Sequence, residues 1–85
     1  MYRIVVSHSA EKEMDRLPVS VNRRMGVVIN SLSNNPRPRG SKKLKGTKEN
    51  IWRVRVGDYR VIYGINDEIK IIDIRKVGHR RDIYE

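Results

Sequence analysis

The chain has 85 residues, 19 Lys and Arg against ten Asp and Glu, a formal net charge of +9 and no cysteine. This length supports one domain, residues 1–85, with a small core, and the lack of cysteine excludes disulfides and thiolate metal sites and fits a reducing compartment. The charge excess repels itself in a compact state, which a polyanion relieves; nucleic acid leads as partner, ahead of an acidic protein and an anionic membrane.

Residues 2–6, YRIVV, are β-branched and read as a first strand. Ser9 is the expected N-cap of a short helix, with Glu11 and Glu13 in the turn where the helix dipole favours anions. Ala10, Met14 and Leu17 share one face, and Pro18 ends this helix or opens the next. A second helix runs from Val19 to Leu32. Val21, Met25, Val28, Ile29 and Leu32 form its core-facing stripe, and Gly26 weakens it. Asn34 or Asn35 is expected to take the left-handed cap before Pro36.

Residues 36–50 read as one long irregular segment, with Arg37, Arg39, Lys42, Lys43, Lys45 and Lys48 against Glu49 alone. Leu44 is its expected anchor to the core. A loop of this length is often functional, although a solvated linker has the same composition. Strands follow at about 51–57, 59–65 and 68–77. The order β-α-α-β-β-β predicts an α+β domain, with two helices on one face of a mainly antiparallel four-stranded sheet. No run approaches the ~20 apolar residues that span a bilayer. The N-terminal apolar run is also shorter than that of a signal peptide, so a cytoplasmic location is expected.

Gly57-Asp58 is a two-residue turn signal, and the turn sets the register. Val56 then faces Tyr59, Val54 faces Val61 and Trp52 faces Tyr63, an apolar face for the helices. On the other face Arg55 lies opposite Arg60, and Arg53 opposite Ile62. Like charges directly across a strand pair destabilise by a few tenths to ~1 kcal/mol. The arginines either splay into water or are partly neutralised; a turn at Asn66-Asp67 would bring Asp73 opposite Arg60. Arg53 and Arg55 stay unneutralised in that register. A rigid set of guanidinium forks suits phosphate.

The last segment, VGHRRDIYE, packs His79, Arg80, Arg81 and Tyr84 into six residues. Histidine carries protons near neutral pH, arginine stabilises developing phosphorane charge, and tyrosine stacks on bases. His8, alone near the first strand, reads as a surface residue. No acidic cluster or His pair has metal-ligand spacing, so no metal is expected.

KKLKG, WRVRVGDYRVIYGI and GHRRDIY together resemble the RelE/ParE toxin superfamily of type II toxin–antitoxin systems, over nearly the whole chain. The resemblance implies a small α+β fold, a cytoplasmic toxin and a cognate antitoxin protein as partner, with no small-molecule cofactor and no membrane. RelE-like members cut mRNA in the ribosomal A site; ParE-like members poison DNA gyrase. The RelE-like set is matched by Arg53, Arg55, Arg60, Arg80 and Tyr84, which favours the nuclease branch over a gyrase inhibitor or a catalytically silent antitoxin-binding member. Arginine is a poor general base, so the resemblance leaves His79 as the candidate proton shuttle. The expected catalytic set is therefore Arg53, Arg55, Arg60, His79, Arg80 and Tyr84. Ribosomal RNA and mRNA are the expected partners of Arg37, Arg39, Lys42, Lys43, Lys45, Lys48 and Arg81, with Arg23 and Arg24 nearby.

Overall fold

The computed structural model describes residues 1–46 and 48–82 of the chain. Strand β1 (Arg3–Val6) ends directly at Ser7, whose extended backbone and hydroxyl cap helix α1 (His8–Asp15). The Ser7 hydroxyl accepts from the Ala10 N–H at 3.1 Å. Such a cap is worth about 1 kcal/mol. The expected cap, Ser9, lies inside the helix instead. Ser7 wins because its own N–H already pairs with the Ile74 carbonyl at 3.0 Å, which fixes the strand-to-helix corner two residues earlier.

Pro18 precedes helix α2 (Val19–Ser31). Met25, Ile29 and the capping Leu32 are buried, and Val28 packs against them. The Asn22 amide donates to the Met14 carbonyl at 3.0 Å and holds the two helices together. The expected left-handed asparagine cap does not form. Among the described residues Lys70 is the one non-glycine with positive φ. The helix closes instead through tighter turns, Leu32 to Ile29, Ser33 to Asn30 and Asn34 to Ser31, at 3.1–3.2 Å.

Three long strands follow: β3 (Ile51–Val56), β4 (Tyr59–Asn66) and β5 (Ile71–His79). A two-residue strand, β2 (Lys42–Lys43), precedes them in the segment expected to be irregular. The sheet therefore has five strands rather than four, in the order β1-β5-β4-β3-β2. β1 runs parallel to β5; the other pairs are antiparallel. Backbone pairing at β2 needs no apolar pattern, so the lysines concealed it. Those same lysines blunt an exposed edge.

The helices cover one face of the sheet. Val54, Val56, Val61, Tyr63, Ile65, Ile72, Ile74 and Val77 meet Ala10, Met25, Ile29 and Leu32 there in one core. Burial of an aliphatic side chain of this size contributes roughly 1.5–3 kcal/mol. The opposite face carries a second, smaller cluster of Ile51, Ile62 and Leu44. Leu44 thus anchors the basic loop to the open face and not to the main core.

The β3–β4 hairpin follows the register that its turn residues require. Gly57 takes φ 62°, and Val56 pairs with Tyr59, Arg55 with Arg60, Val54 with Val61, Arg53 with Ile62 and Trp52 with Tyr63. The β4–β5 register differs from expectation in two ways. Asn66 pairs with Ile71, and its side-chain oxygen accepts from the Glu68 and Ile69 N–H groups at 3.1 and 3.2 Å, so the turn is longer than Asn66-Asp67. A bulge then shifts the ladder between Ile62 and Tyr63: Tyr63 pairs with Ile74, but Ile62 pairs with Lys76. Arg60 consequently faces Gly78, and Asp73 faces Gly64.

Candidate functional site

On the open face the register forms rows across the strands. One row is Arg55, Arg60 and Gly78; the next is Lys42, Arg53, Ile62 and Lys76. Arg53 is only 5% exposed, Arg60 is half-buried and Arg55 is exposed. Beyond β5, the Arg80 N–H donates to the Asp58 carbonyl at 2.9 Å. This ties the segment after the last strand to the hairpin turn and brings Arg80 beside the same row. Partial desolvation and the charges of Arg53, Arg55 and Arg80 push the Arg60 guanidinium below its ordinary pKa. Four guanidinium groups are therefore electrostatically coupled, and an anion placed among them would be held by forked hydrogen bonds. At the hairpin tip, a Cβ on Gly57 would come within 3.3 Å of the Arg24 guanidinium, so α2 adds a further cation there.

The acids of the open face are kept apart from this cluster. Arg75 binds Glu49 at 2.7 Å and Asp73 at 2.5 Å, which raises the pKa of Arg75. Asp73 reaches this position by crossing over Gly64, where any Cβ would collide with its carboxylate. It does not oppose Arg60, because the longer turn displaces it along the strand to Gly64.

Residues 4–84 match the family described as the ParE toxin of the type II toxin–antitoxin system parDE. The chain belongs to this toxin family. It is 31% identical over 87 residues to the toxin RelE3 of Methanocaldococcus jannaschii, covering 98% of this chain and 96% of that one. It is 31% identical over 84 residues to the toxin RelE of Mycobacterium tuberculosis, covering 98% and 86%. The archaeal RelE–RelB complex from Pyrococcus horikoshii contains a structural neighbour at a TM-score of 0.83 and 36% identity, covering 93% of this chain and 94% of that one. The chain is thus a RelE-like toxin of a type II toxin–antitoxin system.

In this RelE-like toxin the other expected site residues fall in different places. His79 pairs with Tyr59 on the helix side of the sheet, with the rings edge-to-face at 5.3 Å. It lines a cleft with Glu13, Arg16 and Leu17, and its Nδ1 accepts from the Arg81 N–H at 3.1 Å. The sheet separates it from Arg53, Arg55 and Arg60. Tyr84 lies outside the described residues. Arg37 is engaged: it binds Asp67 at 2.8 Å and lies 5.4 Å over the Trp52 ring. Arg37 and the Tyr2 hydroxyl, at 2.6 Å, pull the Asp67 carboxyl down to about 2. The Tyr63 hydroxyl donates to the Pro36 carbonyl at 2.7 Å, and burial pushes its pKa up. These contacts fasten the start of the basic loop. Arg39, Lys42, Lys43, Lys45, Lys48 and Arg81 are exposed. Among the described residues no group of three or more His, Asp or Glu side chains is arranged to hold a metal.

One cation on the open face escaped the sequence reading. Lys76 stands in the row with Arg53 and Ile62. The available signal was the break in alternation along β5, where Arg75-Lys76 intervenes between Ile74 and Val77.

Proposed function

We propose that this chain is a ribosome-dependent endoribonuclease that cuts mRNA in the A site and so inhibits translation. The observation that carries this reading is the coupled cluster of Arg53, Arg55, Arg60 and Arg80 on a rigid sheet face. The RNA 2′-OH attacks its own adjacent phosphorus, and the bond from phosphorus to the 5′-oxygen breaks. A 2′,3′-cyclic phosphate remains on one fragment and a 5′-hydroxyl on the other. The 2′-OH proton leaves with attack, and a proton is delivered to the departing oxygen. The arginines grip the non-bridging oxygens and stabilise the extra charge of the transition state. Tyr84 stacks on the neighbouring base. No metal or cofactor takes part, and the reaction runs in the cytoplasm.

His79 is better suited to positioning than to proton transfer. Its contacts to Tyr59 and to the Arg81 N–H hold the segment that carries Arg80. Arg39, Lys42, Lys43, Lys45, Lys48 and Arg81 contact ribosomal RNA phosphates, while Arg37 sets the loop that presents most of them. Such contacts place the protein without reading sequence.

The partner that silences the toxin is a cognate antitoxin protein. Support comes from the neighbour in the archaeal RelE–RelB complex and from the net charge of +9, which favours an acidic partner. The name of the matched family favours a second reading, inhibition of DNA gyrase. Purified antitoxin-free protein added to ribosomes programmed with a defined A-site codon separates the two. The nuclease reading predicts mapped cuts on ribosomes and none on naked mRNA. Intact mRNA together with arrested gyrase supercoiling would overturn it.

A further inference from the structure

The β5 bulge decides which way one lysine points. With Ile74 inward and no bulge, strict alternation would send Arg75 outward, Lys76 into the core and Val77 to the surface. The extra residue turns two consecutive side chains outward. Ile74 and Val77 both remain in the core, at 0% and 2% exposure, while Arg75 binds Glu49 and Asp73. Lys76 lands opposite Ile62, exposed, on the face that bears the arginines. Bulges recur beside active sites, where they re-aim a side chain.

The surroundings of Lys76 suit it to an anion. Arg60 pairs with Gly78, so the position directly across from that guanidinium carries no side chain. Lys76 is the diagonal neighbour of Arg60, and such neighbours lie about 7–8 Å apart, within reach of long side chains. Arg75 binds two carboxylates of the open face, Glu49 and Asp73, and although Lys76 also borders the cleft that Glu13 and Asp82 line, it forms no ion pair among the described residues.

We infer that Lys76 is a phosphate-contacting residue of the site, holding the backbone phosphate next to the one gripped by Arg53, Arg55, Arg60 and Arg80. Gly78 leaves the gap through which the strand passes between them. The inference rests on the reading of the arginine face as an RNA site, but not on cleavage. A lysine does this as a point charge with three donors, so an arginine substitutes for it and a neutral side chain does not.

The test is the salt dependence of affinity for a short single-stranded RNA carrying a 2′-deoxy sugar at every position where cutting could occur. One phosphate contact in a single strand contributes about 0.7 to the slope of log affinity against log salt. Lys76→Gln is expected to lower the slope by about that amount, Lys76→Arg to restore it, and Lys12→Gln, on the exposed surface of α1, to leave it unchanged. Thermal unfolding of each variant confirms the fold. A Lys76→Gln slope equal to wild type would overturn the inference, as would an equal fall in Lys12→Gln. A Lys76-dependent slope without any cleavage on ribosomes would keep the inference and remove the nuclease reading. RNA affinity with no salt dependence in the wild type would remove both.

Discussion

Arg55 and Arg60 stand directly opposite each other across the β3–β4 hairpin, held there by the Gly57-Asp58 turn. This pairing opposes stability, and under the proposed nuclease function it serves anion binding. Arg55→Gln is expected to stabilise the fold by a few tenths to ~1 kcal/mol while lowering RNA cleavage. Removal of one transition-state donor costs about 10²–10³-fold by analogy with oxyanion-hole residues. Urea unfolding at low and high salt checks the first part, since screening shrinks the gain as salt rises. A variant that loses stability would show that the arginine pair is structural.

His79 and Arg80 are adjacent in sequence but are expected to behave differently. A residue that carries the reacting proton contributes typically 10²–10⁴-fold. His79→Gln is expected to fall short of that loss and to leave the pH–rate profile unchanged, because its ring lies across the sheet from the arginines. Arg80→Ala is expected to show the larger loss. Single-turnover cleavage across pH measures both, and a vanished acidic limb in His79→Gln would restore it as the proton carrier.

Asp67 holds Arg37 and the Tyr2 hydroxyl. Its folded pKa of about 2 lies below the ordinary 3.8, so its stabilisation is present above 3.8 and is lost as pH falls through about 2. Asp67→Asn is expected to be less stable than wild type at neutral pH, with the difference closing across that acidic window. Urea unfolding against pH for the two proteins checks this. A constant difference would mean that the charge is not the cause.

Two glycines are expected to respond in opposite directions to alanine. A Cβ at Gly26, in the interior of α2, meets nothing within 4 Å, so Gly26→Ala is expected to stabilise by about 0.5–1 kcal/mol. At Gly64 the Cβ would strike the Asp73 carboxylate and displace it from Arg75; Gly64→Ala is expected to destabilise by about 1–3 kcal/mol. Chemical denaturation of both variants checks the contrast.

The hairpin and the stripe of α2 were legible because each is a local rule with a marker. Gly57-Asp58 fixes the pairing of Trp52 to Tyr63, and the spacing from Met25 to Leu32 fixes the buried face. What escaped depends on tertiary pairing. β2 has no apolar pattern, because Lys42 and Lys43 pair through their backbones with Arg53 and Trp52. The Asn66 side chain replaces a tight turn with a longer one, and the bulge at Arg75-Lys76 moves every later residue of β5 by one position. The longer turn separates Asp73 from Arg60, and the bulge sends His79 to the helix side and adds Lys76 to the arginine face. The clustering of Arg53, Arg55 and Arg60 could be read from a turn and a period of two. The position of His79 could not, because it depends on the bulge at Arg75-Lys76, just before the motif that drew attention to it.

Whether the arginine face cuts mRNA is decided by mapping RNA ends on programmed ribosomes treated with the wild type and with the Arg55→Ala/Arg60→Ala double variant. The wild type is expected to cut within the A-site codon and leave a 2′,3′-cyclic phosphate end without added metal, and the double variant, although folded, is expected to leave the mRNA intact. Equal cleavage by the double variant, or intact mRNA with a folded, antitoxin-free wild type, would contradict the nuclease reading.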